Sequence, residues 1–287
     1  MEKPCSNASI YSNYSQILDC LISLNQLERN LKEELFLQHI ETVLTYVIIS
    51  IGLPLTLVAI YGVLSLVRTD NEAPIYIVNL LVSDLIQFCC MIASVVAKEK
   101  TYEDVHLYSL IVSCGFMLCI SVKRYLVIAW PLWYHFRRSV KTSVVACVVV
   151  WTLPLLFFAL IFFISLPTLR KIMAVLIFLL LPVQIFTLVG TQRALSAASR
   201  VPTDEKRRIM ALLILVLLTY ILLLLPIAPQ LIIGELSHLS SFVCKSLIKL
   251  NPIADLFLYF FLRKGVVDTL LAHVCCCRLR GDDVVST

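Results

Sequence analysis

Two carboxylates stand inside otherwise apolar runs. Asp84 closes Asn79-Leu80-Leu81-Val82-Ser83-Asp84, and Asp255 lies within Leu250-Asn251-Pro252-Ile253-Ala254-Asp255-Leu256-Phe257-Leu258-Tyr259. A carboxylate in such surroundings is costly unless it meets a partner, a proton or an ion. Lys245 and Lys249 are four residues apart, so one face of a helix would carry both charges. That pair suits an anionic ligand head, or a bridge from Lys249 to Asp84 or Asp255. Of the histidines His39, His106 and His238, His106 is placed nearest a pocket mouth, and an exposed imidazole titrates near pH ~6.5. Lys123-Arg124-Tyr125 ends a further apolar run, with Pro131 shortly after. Two adjacent bases at the centre of a bilayer would be very expensive, so this triplet belongs at a membrane edge. No nucleophile–base arrangement and no spaced cluster of metal ligands accompanies these groups. No enzyme, no catalytic residue and no metal centre is therefore expected.

The elements that must hold these groups are long apolar helices. The chain has 287 residues, 60% of them hydrophobic and only 15% charged, with a mean hydropathy of +0.91. A soluble domain has about 25% charged residues. Apolar runs lie at roughly 42–67, 74–97, 105–122, 143–166, 171–193, 209–233 and 239–262. Each is close to the ~20 residues that cross a bilayer as helix. The fold expected is an all-α membrane protein with a seven-transmembrane helix bundle over 41–262. An N-terminal tail over 1–40 precedes it, with a short helix around Leu31–Leu37 as an option. A short amphipathic eighth helix and tail follow over 263–287.

Basic residues gather in alternate loops: Lys123, Arg124, Arg137 and Arg138, then Lys206, Arg207 and Arg208, then Arg263 and Lys264. The positive-inside rule puts these in the cytoplasm and the N-terminus outside. Asn7-Ala8-Ser9 and Asn13-Tyr14-Ser15 are glycosylation acceptors, which fits that orientation. The net charge of +5 is thus a loop bias and not a nucleic-acid footprint. Cys275, Cys276 and Cys277 beside the last span read as palmitoylation sites. Cys5, Cys20 and Cys244 fall on the oxidising side, where Cys20–Cys244 and Cys5–Cys20 are both open pairings.

Arg124-Tyr125 with Pro131-Leu132 resembles the end of the third helix of rhodopsin-like (class A) G protein-coupled receptors. Asn79 with Asp84 resembles their second-helix signature, and Asn251, Asp255 and Tyr259 resemble the seventh-helix pattern. Pro182 and Pro226 stand where the family bends its fifth and sixth helices. Arg137-Arg138-Ser139-Val140-Lys141-Thr142 and Trp151 look like the branch of proton-sensing, lysolipid and nucleotide receptors. The resemblance covers about 42–274. It implies that Arg124, Tyr125 and Tyr259 engage a heterotrimeric G protein. It further implies that Asp84, Asn251 and Asp255 form a switch network able to hold a structural sodium ion. Lys245, Lys249, Tyr102 and His106 would line the pocket of a small-molecule or lipid-like ligand. Plasma-membrane localisation among membrane lipids, and receptor dimerisation as an option, come with it.

The departures from the family are specific. Thr56 replaces the first-helix asparagine, Lys123 the acidic residue before Arg124, Gly190 the fifth-helix tyrosine, Leu224 the sixth-helix tryptophan, and Leu256 the seventh-helix proline. Pro252 moves that last kink by one turn. Glu99 stands where the third helix begins with a disulfide cysteine. Lys123 and Lys206 occupy places where acids restrain the arginine, so like charges surround Arg124. High basal signalling, or lost coupling, is expected. Lys249 matches the retinal lysine of visual pigments, but Tyr102 and Leu224 argue against retinal. The alternative to a signalling receptor is a decoy, scavenger or dimer partner. A transporter would show internal repeats, and none is visible.

Overall fold

The computed structural model describes residues 7–67, 75–97, 101–137, 140–159, 165–197, 203–226, 229, 232 and 238–262, with some side chains along these helices excepted. All regular structure among them is helical. The helices are α1 (Asn7–Val67), α2 (Ile75–Ala97), α3 (Thr101–Ala129), α4 (Pro131–Arg137), α5 (Val140–Ala159) and α6 (Leu166–Ala197). They continue with α7 (Thr203–Thr219), α8 (His238–Lys249) and α9 (Asn251–Leu262). In a bilayer the backbone has no water to bond, so apolar segments must satisfy every N–H and C=O internally, and helix does that.

Segments within α1, α2, α3 and α6 are each long and apolar enough to cross a membrane, and Lys141–Leu156 of α5 is a shorter apolar helix. The other two crossings of the seven-helix bundle are interrupted. In one, α7 passes into a π turn at Tyr220–Leu224, closed by Leu225 N donating to the Tyr220 carbonyl at 3.2 Å. Pro226 follows at once. Proline cannot donate the next backbone bond, and a wide turn absorbs the resulting mismatch. In the other, the helix breaks at Leu250, where α8 ends and α9 begins. Pro252 lacks an N–H, and the Leu250 carbonyl instead accepts from Ile253 and Ala254, both at 3.1 Å. The break thus falls one turn early, as the placement of Pro252 predicts.

The bundle is centred on α3, which packs against α2, α5 and α6. Phe116, Met117, Ile120, Leu80, Val216 and Leu258 form its buried apolar core. On its flank Trp151 Nε1 donates to Asn79 Oδ1 at 2.9 Å, and Tyr108 Oη donates to the Trp151 carbonyl at 2.9 Å. Asn79 thereby ties α2 to α5.

Three expectations change. The stretch 1–40 is not a tail followed by a short helix: from Asn7 onward it continues α1 without a break. Nothing in 7–40 stops a helix, since the segment holds neither glycine nor proline. Between the apolar runs 143–166 and 171–193 a short loop over about Ser165–Lys171 is expected, but from Leu166 onward this stretch forms the first turns of α6. A short helix, α4, follows the Arg124 end of α3 where only a loop was expected. The side chains of Asn7, Asn13 and Cys20, and all of Cys5, the amphipathic helix from Arg263, and Cys275, Cys276 and Cys277, lie outside the described residues.

Candidate functional site

Mid-bundle, α2, α3 and α9 bring four polar side chains together. Ser113 Oγ donates to Asp255 Oδ2 at 2.6 Å. Asn251 Nδ2 donates to the same carboxylate oxygen at 3.1 Å and to Ser113 Oγ at 3.0 Å. Asn251 and Asp255 are one turn apart on α9, and their shared face is turned inward because the break at Leu250 restarts the helix there. The Asp84 and Asp255 carboxyl groups face each other closely enough to interact electrostatically. Two carboxylates brought together in a buried site repel unless a proton or a cation is shared between them. Asp84, Ser113, Asn251 and Asp255 are all fully buried.

The sequence-predicted trio Asp84, Asn251 and Asp255 is therefore assembled, and Ser113 is the member it missed. Its signal was present: Ser113 stands eleven residues before Arg124, three helical turns along one face of α3. Thr56 does not join as a bridge. Its Oγ1 is buried without a partner among the described residues, because a threonine hydroxyl is too short to reach what an asparagine would.

The network is under-satisfied. Among the described residues Asp84 Oδ1 and Oδ2, Asp255 Oδ1, Asn251 Oδ1 and both polar atoms of Gln87 are buried without a hydrogen-bond donor or acceptor. Gln87 lies on α2, three residues beyond Asp84. Buried polar atoms are normally paired, so orphans gathered in one place are candidates to bind water or an ion. Their chemistry, carboxylate and amide oxygens, is that of a small hard cation site. Asp84, Ser113, Asn251 and Asp255 are the residues that could hold a sodium ion, whose charge would offset the cost of burying carboxylates.

At the C-terminal end of α8, Lys249 Nζ donates to Glu41 Oε1 at 2.7 Å and to Thr45 Oγ1 at 3.0 Å. Lys249 pairs with α1, and neither Asp84 nor Asp255 is its partner. The reason is longitudinal: Lys249 precedes Asp255 by six residues, about 9 Å along a helix. Glu41 escaped notice because 1–40 read as tail, which left Glu41 at the edge. Near Lys249, His106 has its Nε2 buried without a partner among the described residues. The two are close enough to repel when both are charged. Tyr102 sits half-buried in the first turn of α3, and Lys245 half-buried one turn before Lys249. The four residues expected to line a pocket thus lie at this end of α3 and α8, with Glu41 added. His39 and His238 are exposed.

Cys244 is not disulfide-bonded to Cys20. It is a buried free thiol whose S–H donates to the Pro226 carbonyl at 3.3 Å, linking α8 to the turn after α7. Cys20 is 21 residues before Glu41 on one continuous helix, roughly 30 Å away along its axis. Glu41 is the residue that meets α8, so Cys20 is far out of reach.

At the Arg124 end the substituted positions have new partners. The Lys123 ammonium lies 5.6 Å from the centroid of the Tyr76 ring on α2. Tyr125 packs into the notch left by Gly190 on α6. A Cβ there would fall 2.5 Å from Tyr125 Cε2. Phe186, one turn earlier, meets the Tyr125 ring edge-on at 5.5 Å between centroids. Tyr125 itself fills the space that Gly190 vacates; neither Tyr220 nor Tyr259 does. Tyr220 is buried in the π turn, and Tyr259 is buried against Phe260 at 5.5 Å between ring centroids. Arg124 and Lys206 are half-buried at this end.

Residues 55–172 match the family model for the 7 transmembrane receptor (rhodopsin family). G-protein coupled receptor 68 of Homo sapiens is 28% identical over 136 residues, covering 42% of this chain and 36% of that protein. Mas-related G-protein coupled receptor member B3 of Mus musculus is 32% identical over 101 residues, 31% of this chain and 32% of the relative. Member X1 of Homo sapiens is 29% identical over 123 residues, 40% of this chain and 38% of the relative. The matches span about a third of the length of these relatives. With the polar network spaced as it is on α2, α3 and α9, these matches make the chain similar, over the part they cover, to the rhodopsin-like, class A G protein-coupled receptors.

Proposed function

We propose that the protein is a plasma-membrane receptor that binds a small ligand at the Lys249 end of its bundle and activates a heterotrimeric G protein at the Arg124 end. The observation that carries this reading is the Asp84–Ser113–Asn251–Asp255 network. It joins three helices through buried polar contacts whose protonation or ion content can change. Buried polar groups are costly, and an interior that keeps several of them partly unsatisfied is suited to two arrangements of similar energy. Positive-inside bias puts the Arg124 end in the cytoplasm and the N-terminus outside. Asn7 and Asn13 then face glycosylation, and Cys275, Cys276 and Cys277 palmitoylation.

The Lys249–Glu41 pair constrains the ligand. Both side chains are only about a fifth exposed, at 19% and 21%. An anion that takes Lys249 must strip it from Glu41, and a buried charge left unpaired is expensive. An anionic or lipid-like ligand therefore has to bring a cationic or hydrogen-bonding group for Glu41 as well. His106 is placed to receive a further polar group.

The test is ligand-free G protein activation in cells, wild type against Arg124→Ala, at matched surface expression. Basal signal that Arg124→Ala abolishes supports the receptor. Signal equal to empty vector across every G protein class, and unchanged by any lysolipid or nucleotide screened, favours the second reading: a decoy or dimer partner that keeps the fold. The Tyr125–Gly190 packing is the observation on that side, because it joins α3 to α6 at the surface a G protein would use.

A further inference from the structure

α1 has two exposed apolar regions, and only one has an evident cover. From Val43 onward, Val47, Ile51, Leu55, Val58 and Tyr61 are exposed where the helix crosses the bilayer, and lipid covers them. Between Ile17 and Leu35 lipid is excluded, because Asp19, Glu28, Arg29, Lys32, Glu33 and Glu34 are interspersed there. Yet Ile17, Leu21, Leu24, Leu27, Leu31 and Leu35 are each between 53% and 64% exposed. Their spacing keeps them on one stripe of a helix about 27 Å long.

The spacing also identifies the occupant. Ile17, Leu24 and Leu31 recur every seven residues, with Leu27 three after Leu24. That is the a and d pattern of a helix that packs along another helix with the same repeat. Leu21 and Leu35 flank it at e positions. Gln16, Ser23 and Asn30 fall at g positions, so a parallel copy sets Ser23 near Glu28 of its neighbour and opposes no like charges between e and g positions; only Glu34, at the end of the stripe, faces its own copy. Glu28 is already balanced on its own helix by Lys32 at 2.6 Å. Six half-exposed side chains offer several hundred Å2 per copy, approaching the ~800 Å2 per partner of a standard interface. Glu34, at the next d position, ends the stripe. The membrane fixes direction: every copy in it has the same orientation, so copies meet parallel and in register, as two-fold self-association requires. The acceptors Asn7 and Asn13 precede Ile17 and leave the stripe clear.

We propose that residues 17–35 of α1 pair with the same segment of a second copy of this chain as a short parallel coiled coil outside the bundle. Holding both chains in one membrane raises their effective concentration, which offsets the shortness of the repeat.

The experiment is resonance energy transfer between donor- and acceptor-tagged full-length chains at equal, quantified surface levels. Wild type is expected to show transfer that saturates with acceptor level. Leu24→Glu with Leu31→Glu is expected to reduce it to the level of random collisions. Both sites are exposed in the single chain and Glu is a good helix former, so surface expression should hold. Asn25→Glu with Arg29→Glu, off the stripe, should leave transfer unchanged. Monomeric wild type overturns the proposal. So does transfer that survives Leu24→Glu with Leu31→Glu, since the contact would then lie on the bundle or on another protein.

Discussion

The middle of the bundle and its Arg124 end have been treated differently. In the middle, Asp84, Asn251 and Asp255 lie close together, with Ser113 bonded to both Asn251 and Asp255. At the Arg124 end almost every restraint has been exchanged. Lys123 replaces an acid and lies over Tyr76, and Gly190 replaces an aromatic and admits Tyr125. A buried polar network tolerates little change, because each atom lost leaves a partner unpaired. A restraint at a membrane edge can be electrostatic, steric or both. At this end α3 packs on α6 through Tyr125, Gly190 and Phe186.

The largest effect should come from breaking the middle. Asp255→Ala removes the acceptor of both Ser113 and Asn251, and losing a buried partner costs on the order of 3 kcal/mol. Thermal unfolding of purified receptor in detergent should show a clear fall in midpoint and surface expression should drop. Asp255→Asn keeps the shape and removes one of two facing carboxyls, so its midpoint should stay within a few degrees of wild type. Sodium should raise the wild-type midpoint over choline, and Asp84→Ala should abolish that rise. A sodium response that survives Asp84→Ala would place the ion elsewhere.

Next is the notch. Gly190→Val puts branched carbons into the Tyr125 ring, and overpacking of this kind costs about 1–3 kcal/mol. The ring must swing away, separating α3 from α6. If packing restrains the receptor, basal signalling rises in Gly190→Val, and pairing it with Tyr125→Ala relieves the lost stability. Reduced stability with unchanged signalling would show that the notch is only a packing site.

At the opposite end, Lys249→Ala leaves Glu41 without its cation and Glu41→Gln keeps a neutral partner for Lys249. Breaking a mostly buried ion pair from one side should cost on the order of 2 kcal/mol, with Glu41→Gln milder because an amide still accepts the bond. Melting of the two variants and their double mutant forms a cycle whose coupling energy measures the pair.

Much of this was legible in advance. Seven apolar runs give the bundle, because in a bilayer length and hydropathy settle the element type. Asp84 and Asp255 announced themselves by being carboxylates in apolar helices. What failed was what depends on contacts between distant segments. Glu41 is an ordinary acid in a charged stretch until α1 is seen to run unbroken past Lys249. Gly190 reads as a loss, and only the position of the Tyr125 ring turns it into a fit. Cys244 looked available for a disulfide because sequence carries no distance, and a 61-residue helix holds Cys20 away from it.

The smallest effect expected is at Lys123, and it separates the two ends most sharply. Its charge is adjacent to Arg124, so it destabilises that arginine, while its contact with the Tyr76 ring is worth about 0.5–1 kcal/mol. Lys123→Asp restores the usual acid and forfeits the ring contact. If charge governs this end, Lys123→Asp lowers basal signalling and Tyr76→Leu leaves it unchanged. If packing governs, Tyr76→Leu frees the lysine, changes basal signalling and costs a small, measurable fall in melting midpoint, while Lys123→Asp moves stability more than signal. Gly190→Val should then act additively with Lys123→Asp, because α2 and α6 touch opposite sides of α3 and the two residues share no partner. Non-additivity between them would mean that the arginine is held by one linked set of contacts around α3, and that the replaced acid and the replaced tyrosine are two parts of a single exchange.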